Sequence, residues 1–468
     1  MKPILKHLLP FLFLLPGVAS AADLDGTTLS LGWTLPFCGI LLSIALFPIF
    51  APGIWHHHFG KITALWTVLF LLPFTITFGS STTLALLAHA LVAEYIPFIV
   101  LLFSLYTLSG GILVWGTLRA TPALNTGLLA IGTLLASLMG TTGAAMLLIR
   151  PVLKANHGRA SSVHVVVFFI FLVANVGGGL TPLGDPPLFL GFLKGVDFFW
   201  TVKAMALPVL LLSLALLAVF YVIDSYYFRR DGVAVDDGAP PTPLKLYGRL
   251  NLLLLPGVIG AVLLSGFWKP GIAFDVLGTP LELQNLVRDL LLIGLALLSL
   301  LLTPKQVRAG NEFNWDPILE VGKLFAGIFI TIAPAIAILR AGSDGHLAAI
   351  VSLVSGEDGL PINAMYFWMT GFLSGFLDNA PTYLVFFNLA AGDAFTLMTQ
   401  LPQTLLAISM GAVFMGALTY IGNAPNFMVK AIAEQRGIAM PSFFGFLLWS
   451  CAILLPLFLV LTWLFFRL

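Results

Sequence analysis

The sequence predicts an all-α polytopic membrane protein made of inverted repeats of broken helices and re-entrant hairpins, with about ten spans and two hairpins after a signal peptide. Three observations predict this fold class: an apolar composition, stretches long enough to cross a bilayer, and polar interruptions at constant spacing. Apolar residues make up 59% of the 468 residues, charged residues only 9%, and the mean hydropathy is +1.02. Soluble domains carry about 25% charged residues, so this chain is expected to lie in membrane lipid.

Charge and cysteine content exclude other classes. The net charge of +1 and the lack of a long basic run argue against nucleic acid as a partner. Cys38 and Cys451 fall within apolar stretches and are expected to be packing residues, not a disulfide or a metal site. The sequence therefore predicts no cofactor, and membrane lipid and a small ion or molecule as partners.

The N-terminal residues predict a cleaved secretory signal over 1–21. Two lysines precede an apolar run at residues 8–15, and Ala19-Ser20-Ala21 provides a small-residue cleavage pattern. The alternative is an uncleaved first helix, but the run is shorter than the ~20 residues of a span and Pro10 and Pro16 interrupt it. Cleavage would place the mature N-terminus in the periplasm of a bacterium, with the protein in the inner membrane.

Ten later apolar stretches are long enough to span a bilayer. Two further stretches, about 123–153 and 364–391, are interrupted near their middles at Gly140 and Asp378. Each of these either enters and leaves on one side as a re-entrant hairpin or crosses as a kinked span. The ten spans lie at about 30–52, 61–79, 84–115, 163–194, 200–226, 250–267, 286–303, 317–340, 404–430 and 441–466.

Loop charge favours the re-entrant alternative. With a periplasmic N-terminus and two hairpins, fourteen lysines and arginines fall on the cytoplasmic side and six on the other, as the positive-inside rule expects. The hairpins then enter from opposite sides, so the repeats are inverted. The predicted parts are the signal at 1–21, an extra first span with the first repeat at 22–228, a polar, proline-rich cytoplasmic linker at 229–248, and the second repeat at 249–468.

The polar interruptions recur 238 positions apart. Residues 180–189 read LTPLGDPPLF and residues 418–427 read LTYIGNAPNF, while Gly140-Thr141 corresponds to Asp378-Asn379. Prolines stop a helix within the membrane, which frees carbonyls to ligate a cation and exposes helix N-termini that can face an anion. Since non-helical backbone survives there only when it is buried in protein or lines a cavity, these interruptions predict a transport site for a small ion or solute.

Two carboxylates, Asp185 and Asp378, lie at these interruptions. A carboxylate within a membrane is costly unless it is paired, protonated or bound to a cation, so both are predicted to be functional. The alternative is that each caps a half-helix that begins just after it. Neutral oxygen ligands are available from Asn175, Asn379, Asn423, Thr141, Thr181 and Thr419.

Residues 175–187 (NVGGGLTPLGDPP) and 377–382 (LDNAPT) carry a family resemblance. Across about 30–468 the chain resembles the ion transporter superfamily that contains NhaD-type sodium/proton antiporters, arsenite-efflux pumps and citrate or dicarboxylate carriers. The resemblance implies a homodimer with a scaffold part and a transport part that moves like an elevator. It implies an ion site of Asp185 with Asn175 and Thr181, and of Asp378 with Asn379, Asn423 and Thr419. Pro187-Leu188 stands where many relatives have Pro-Asn.

Three functions compete. Cation/proton antiport, with sodium as the expected cation, is favoured because carboxylates stand at the interruptions. Sodium- or proton-coupled symport of citrate or a dicarboxylate is the alternative, although two aspartates repel a polyanion unless they are neutralised. An intramembrane aspartyl protease, the enzyme hypothesis, is disfavoured because Pro182 replaces the first glycine of the Gly-x-Gly-Asp motif that such enzymes carry.

Three further charged residues lie in or beside spans. Glu94 either belongs to a proton path or lies at the periplasmic end of the span at 84–115. Lys323 and Arg340 flank one span, where they either pair with a site carboxylate or extend to the membrane interface, and the sequence favours the interface.

Overall fold

The computed structural model describes residues 24–231, 242–356 and 359–467. The predicted signal peptide at 1–21 and residues 232–241 of the predicted linker lie outside the described residues. The described chain is almost entirely helical, with two short two-stranded sheets, which confirms the predicted all-α class.

The first half contains eight α-helices joined by short connections. A π-helical segment, His89–Tyr95, lies between α2 and α3, and a 3₁₀ turn, Val176–Gly179, follows α6. The helices are α1 (Leu35–Phe50), α2 (Pro52–Ala88), α3 (Ile96–Gly110), α4 (Pro122–Met139), α5 (Thr141–Ala155), α6 (Val163–Leu172), α7 (Pro186–Leu193) and α8 (Phe198–Asp231).

The second half follows the same general order with more short helices. A 3₁₀ turn, Gly416–Leu418, follows α18 as its counterpart follows α6. The helices are α9 (Arg249–Phe267), α10 (Leu283–Leu302), α11 (Lys305–Gly310), α12 (Asp316–Thr331), α13 (Ala333–Arg340), α14 (Ala348–Val354), α15 (Asn363–Phe376), α16 (Asn379–Ala390), α17 (Ala394–Thr399), α18 (Pro402–Met415), α19 (Ala424–Gln435) and α20 (Phe443–Phe466).

Helix length explains why fewer uninterrupted spans are seen than the ten stretches predicted. By length and composition, 7 helices in the described chain could cross a membrane, or 8 when α12 and α13, bent by 43°, count as one span. The run Pro52–Gly110 has 59 residues, about 90 Å of helix and three times a bilayer core. A non-helical Gly79 (φ 84°) divides it between the predicted spans 61–79 and 84–115.

Two other predicted spans are broken helices. The stretch 163–194 forms α6 and α7 with an unwound segment between them, and 404–430 forms α18 and α19 in the same way. The prolines and glycines of both motifs lie in these breaks, as expected for residues that end a helix. The breaks therefore occur where the repeated motifs predict them.

The two stretches predicted as hairpins are helix-turn-helix units. Helices α4 and α5 pack side by side, as do α15 and α16. Gly140 turns the chain between α4 and α5 with φ 80°, a conformation that favours glycine, whereas Asp378 at the corresponding turn is extended. The side of the membrane from which each hairpin enters stays a prediction.

The described chain has two pairs of short strands, of which the first connects distant segments and the second is a local hairpin. Strand β1 (Leu113–Trp115) pairs antiparallel with β2 (Lys245–Tyr247), and β3 (Ala273–Val276) pairs with β4 (Thr279–Glu282). The first sheet joins the end of α3 to the end of the predicted linker. Part of that linker is therefore ordered against the first half.

Each half contains an equivalent set of contacts as well as an equivalent motif. The Thr181 hydroxyl donates to the Ser137 carbonyl at 2.5 Å, and Thr419, 238 positions later, donates to the Gly375 carbonyl at 2.5 Å. Each threonine oxygen also accepts a bond from the backbone two residues further on, at 3.2 Å in both halves. In each half, this clamp fastens the broken helix to its own hairpin.

A buried ionic cluster lies away from the breaks. Asp224 of α8 is fully buried, and its Oδ1 lies 2.7 Å from both Arg159 Nη2 and His164 Nε2. Its Oδ2 accepts a bond from Asn125 Nδ2 at 2.9 Å. Because the partners come from α4, the α5–α6 connection and α6, the cluster joins four parts of the first half.

We expect Asp224→Ala to destabilise the protein by about 3–5 kcal/mol, because it leaves the Arg159 guanidinium buried without its counter-charge. The matched control is Arg230→Ala, which removes an ion pair with Asp231 from the same helix at a side chain that is 51% exposed. The measurement is the melting temperature of the purified proteins in detergent. Equal melting temperatures for the two variants would contradict the structural role of Asp224.

Candidate functional site

Four helices of the two repeats begin at one place in the interior. Helices α5 and α16 begin at the hairpin turns, and α7 and α19 begin after the unwound segments. The residues at these starts contact one another through their side chains. Since a helix N-terminus carries unpaired N–H groups and a partial positive charge, four positive helix ends converge there.

The Asp185 carboxylate lies at this convergence and is only 2% exposed. Its Oδ1 accepts bonds from Thr141 Oγ1 and Asn423 Nδ2, both at 3.0 Å, and its Oδ2 accepts one from Asn379 Nδ2 at 2.6 Å. All three donors are neutral. Within the described ranges no lysine, arginine or histidine forms an ion pair with this carboxylate.

The donors are related by the internal repeat. Asn423 is the counterpart of Asp185 in the second half, and Asn379 is the counterpart of Thr141. The carboxylate is thus bound by its own counterpart and by one matched pair of hairpin residues. The site therefore lies where the two repeats meet and needs both of them.

Asp378 has a different environment. It is only partly buried, and its Oδ1 accepts a bond from the Ala380 backbone N–H at 3.0 Å, which caps α16. Its backbone carbonyl accepts a bond from the Thr382 hydroxyl at 2.6 Å. Asp185, in contrast, makes no side-chain capping bond to α7. The capping alternative thus describes Asp378 and not Asp185, and Asp378 is the more exposed of the two residues.

Asn175 is connected to the Asp185 carboxylate through one intermediate residue, Asn423. Its fully buried amide donates to the Ile170 carbonyl at 2.8 Å and to Asn426 Oδ1 at 2.7 Å. Its Oδ1 accepts a longer bond of 3.4 Å from Asn423 Nδ2, the atom that also donates to Asp185. Asn175 therefore orients Asn423 and does not itself touch Asp185.

Thr181 and Thr419 were predicted as ligands, and the structure places both hydroxyls on backbone carbonyls of the hairpins. Of the eight predicted site residues, four are brought together: Asp185, Thr141, Asn379 and Asn423. Asn175 supports this group, Asp378 caps the adjacent helix, and the two threonines hold the breaks in place.

Asn426 was missed by the sequence reasoning. It is fully buried, and its Nδ2 donates to the carbonyls of Gly416 at 2.8 Å and Thr419 at 2.9 Å, while its Oδ1 accepts the bond from Asn175. Its counterpart in the first repeat is Leu188. The second repeat has a Pro-Asn pair, Pro425-Asn426, where the first repeat has Pro187-Leu188. Comparison of the two repeats could therefore have identified Asn426.

An apolar helical bundle whose broken helices and hairpin tips surround one buried carboxylate is typical of a polytopic membrane protein of the transporter class. The model of the family described as "Putative citrate transport" matches residues 26–466. The chain belongs to this family. The match confirms the predicted resemblance to the superfamily that contains the citrate carriers.

Mycobacterial proteins are among its relatives. An uncharacterized transporter of Mycobacterium bovis is 26% identical over 340 residues, which cover 69% of this chain and 73% of the relative. An uncharacterized transporter of Mycobacterium tuberculosis is 25% identical over 380 residues, 80% of this chain and 79% of the relative. The similarity therefore extends over most of both chains.

We expect Asn426→Leu to lower stability by about 1–3 kcal/mol for each buried polar group that it leaves without its partner, and to weaken transport because Asn175 loses its anchor. The control is Leu188→Met at the corresponding position of the first repeat, a swap of similar volume that costs less than about 1.5 kcal/mol. Melting temperature and transport rate are measured for both. An Asn426→Leu protein that melts and transports like the control would refute the supporting role.

Proposed function

We propose that this protein is a secondary active transporter, not an enzyme, and that it exchanges a cation, in the first instance sodium, for protons. The supporting observation is the Asp185 carboxylate, buried among neutral donors with no basic partner in the described chain. A carboxylate in such a place is stable when it holds a proton or a cation. Competition between the two ions for one carboxylate couples their movements.

The neutral donors suit this exchange. Asn379 and Asn423 present their Nδ2 atoms to Asp185, an arrangement that stabilises a negative carboxylate. Rotation of an asparagine amide replaces its donor by its acceptor oxygen. With the amides rotated, Asp185, Thr141 and the two asparagines would offer oxygen atoms to a cation, and Asp378 would hold a second charge near the hairpin tip.

Cation-coupled symport of citrate or a dicarboxylate is the second candidate. The family description favours it, as does the convergence of four helix N-termini, which bind anions in many proteins. Under this function Asp185 and Asp378 would hold the co-transported cation. Two uncompensated carboxylates repel a polyanion, and antiport is therefore our first proposal.

The remaining expectations form part of the same proposal. We place the protein in a bacterial inner membrane as a homodimer, with its mature N-terminus in the periplasm. The hairpins α4–α5 and α15–α16 and the broken helices α6–α7 and α18–α19 meet at the site. We propose that they form the transport part and move together in an elevator-type cycle.

The first test uses purified protein in liposomes that contain a trapped pH dye. Sodium, lithium or potassium is added outside, followed by citrate. Antiport predicts a pH change with at least one cation before citrate is present. Failure with every cation, together with sodium-dependent uptake of labelled citrate, would replace antiport by symport.

The second test addresses the two carboxylates. We expect Asp185→Asn and Asp378→Asn each to abolish transport while the protein still inserts and folds, because the neutral amide holds neither a proton nor the charge for a cation. The control is Asp393→Asn, since Asp393 is an exposed aspartate that caps α17 through the Thr396 N–H at 2.7 Å. Asparagine caps a helix as well as aspartate does. Normal transport by either site variant would exclude this coupling mechanism.

A further inference from the structure

A second polar region lies at the C-terminal end of α7 and beside the middle of α16. A cavity of about 180 Å³ opens between the π-helical segment, α7 and α16. Its walls carry both charged and apolar side chains. They include His89, Ala93 and Glu94 of the π-helical segment, Leu190 and Lys194 at the end of α7, and Leu384 of α16.

Two of the helices that line the cavity also carry residues of the Asp185 site. Leu190 lies five residues after Asp185, and Leu384 lies five residues after Asn379. At 1.5 Å per helical residue, both wall positions are about 7.5 Å along the helix axes from the side chains that meet at the site. Helices α7 and α16 pack against each other between the two places. The two helices that line the cavity are therefore the same two that carry Asp185 and Asn379 at their starts.

The π-helical segment creates the charged wall. His89 and Glu94 are five residues apart, and in an ordinary α-helix they would point about 140° away from each other at 100° per residue. The wider π-helical turn brings them to one face, where His89 Nε2 lies 3.8 Å from Glu94 Oε1. Segments of this kind occur frequently at functional sites. Glu94 is buried, whereas His89 is exposed.

An ion pair crosses the cavity. Glu94 Oε1 contacts Lys194 Nζ, and both side chains are largely shielded from solvent, with exposures of 9% and 22%. Lys194 caps the C-terminus of α7, and Asp185 immediately precedes the N-terminus of the same helix. The eight residues of α7 are a rigid connection of about 12 Å. The pair thus fastens the helix that carries Asp185 to the π-helical segment.

The other two site helices end in a weaker set of ion pairs. Glu312 contacts Arg150 of α5 at 3.3 Å and also contacts Arg436, which caps α19. Glu312 and Arg436 are about half exposed, and exposed pairs contribute little to stability. Loop charge predicts Arg150 and Arg436 on the cytoplasmic side and Lys194 on the periplasmic side.

We propose that the cavity is the entrance through which the transported ion reaches Asp185 from the predicted periplasmic side, and that the Glu94–Lys194 ion pair closes it. The inference rests on the proposed function as a transporter and adds the route and its closing contact. With the pair intact, α7 is held against the π-helical segment, and the passage for the ion along α7 and α16 is narrow. With the pair broken, the C-terminal end of α7 separates from the π-helical segment and the passage for the ion opens.

The test measures access to the inner wall. In a protein with Cys38→Ser and Cys451→Ser, Leu190→Cys places a reporter on a wall position that is only 2% exposed. A membrane-impermeant maleimide is added to the periplasmic side of spheroplasts without any transported ion. We expect Glu94→Gln or Lys194→Met to accelerate labelling about tenfold. The control, Glu312→Gln, should leave the rate unchanged.

A charge swap separates gating from misfolding. Glu94→Lys combined with Lys194→Glu should restore the slow labelling of the parent, because the pair is rebuilt in the opposite sense. Unchanged labelling in the single variants, equal acceleration by Glu312→Gln, or a swap that labels as fast as the single variants would each overturn the proposal. Because labelling needs no transport, failure of the liposome assay leaves this test intact.

Discussion

Helices that begin inside an apolar bundle impose the constraint on which the rest of this structure depends. Each start leaves backbone N–H groups unpaired, and the end of the preceding helix leaves carbonyls unpaired, and lipid can satisfy neither. The structure brings four such starts to one place, where a carboxylate, two asparagines and a threonine share their polar groups. The threonine clamps then fasten each break to its hairpin. The polar groups at the four helix starts thus partner one another within the protein and are not left facing lipid.

The internal repeat in the sequence predicted which segments would form the candidate site. The constant spacing and the cost of broken helices in lipid predicted a polar site at the interruptions, and the family resemblance implied its ligands. The resemblance grouped Asn379 and Asn423 with Asp378, whereas both amides donate to Asp185. The direction of a single side chain did not follow. A threonine beside a break can turn to the site or back to a hairpin carbonyl, and only the packed structure decides that Thr181 and Thr419 do the latter.

Long-range partners were beyond the sequence for a similar reason. Asp224 meets Asn125, 99 positions earlier, and Glu94 meets Lys194, 100 positions later. No periodicity or motif connects such positions, because their contact depends on how whole helices pack. The pairing of β1 with β2 is also a long-range contact that no sequence pattern indicates. Asn426 is the exception, since comparison of the two copies contained its signal.

The dependence of Asp185 on the other repeat also has a consequence for how the protein is made. Its partners Asn379 and Asn423 follow it by 194 and 238 positions. At 5–20 residues per second, synthesis of that interval takes on the order of 10–50 s. During this time the first half must keep an aspartate without two of its three donors, so it has to hold a proton or retain water there. Neither half is therefore expected to reach its folded state alone. Folding of the protein is complete only when the second repeat has entered the membrane and supplied its two asparagines.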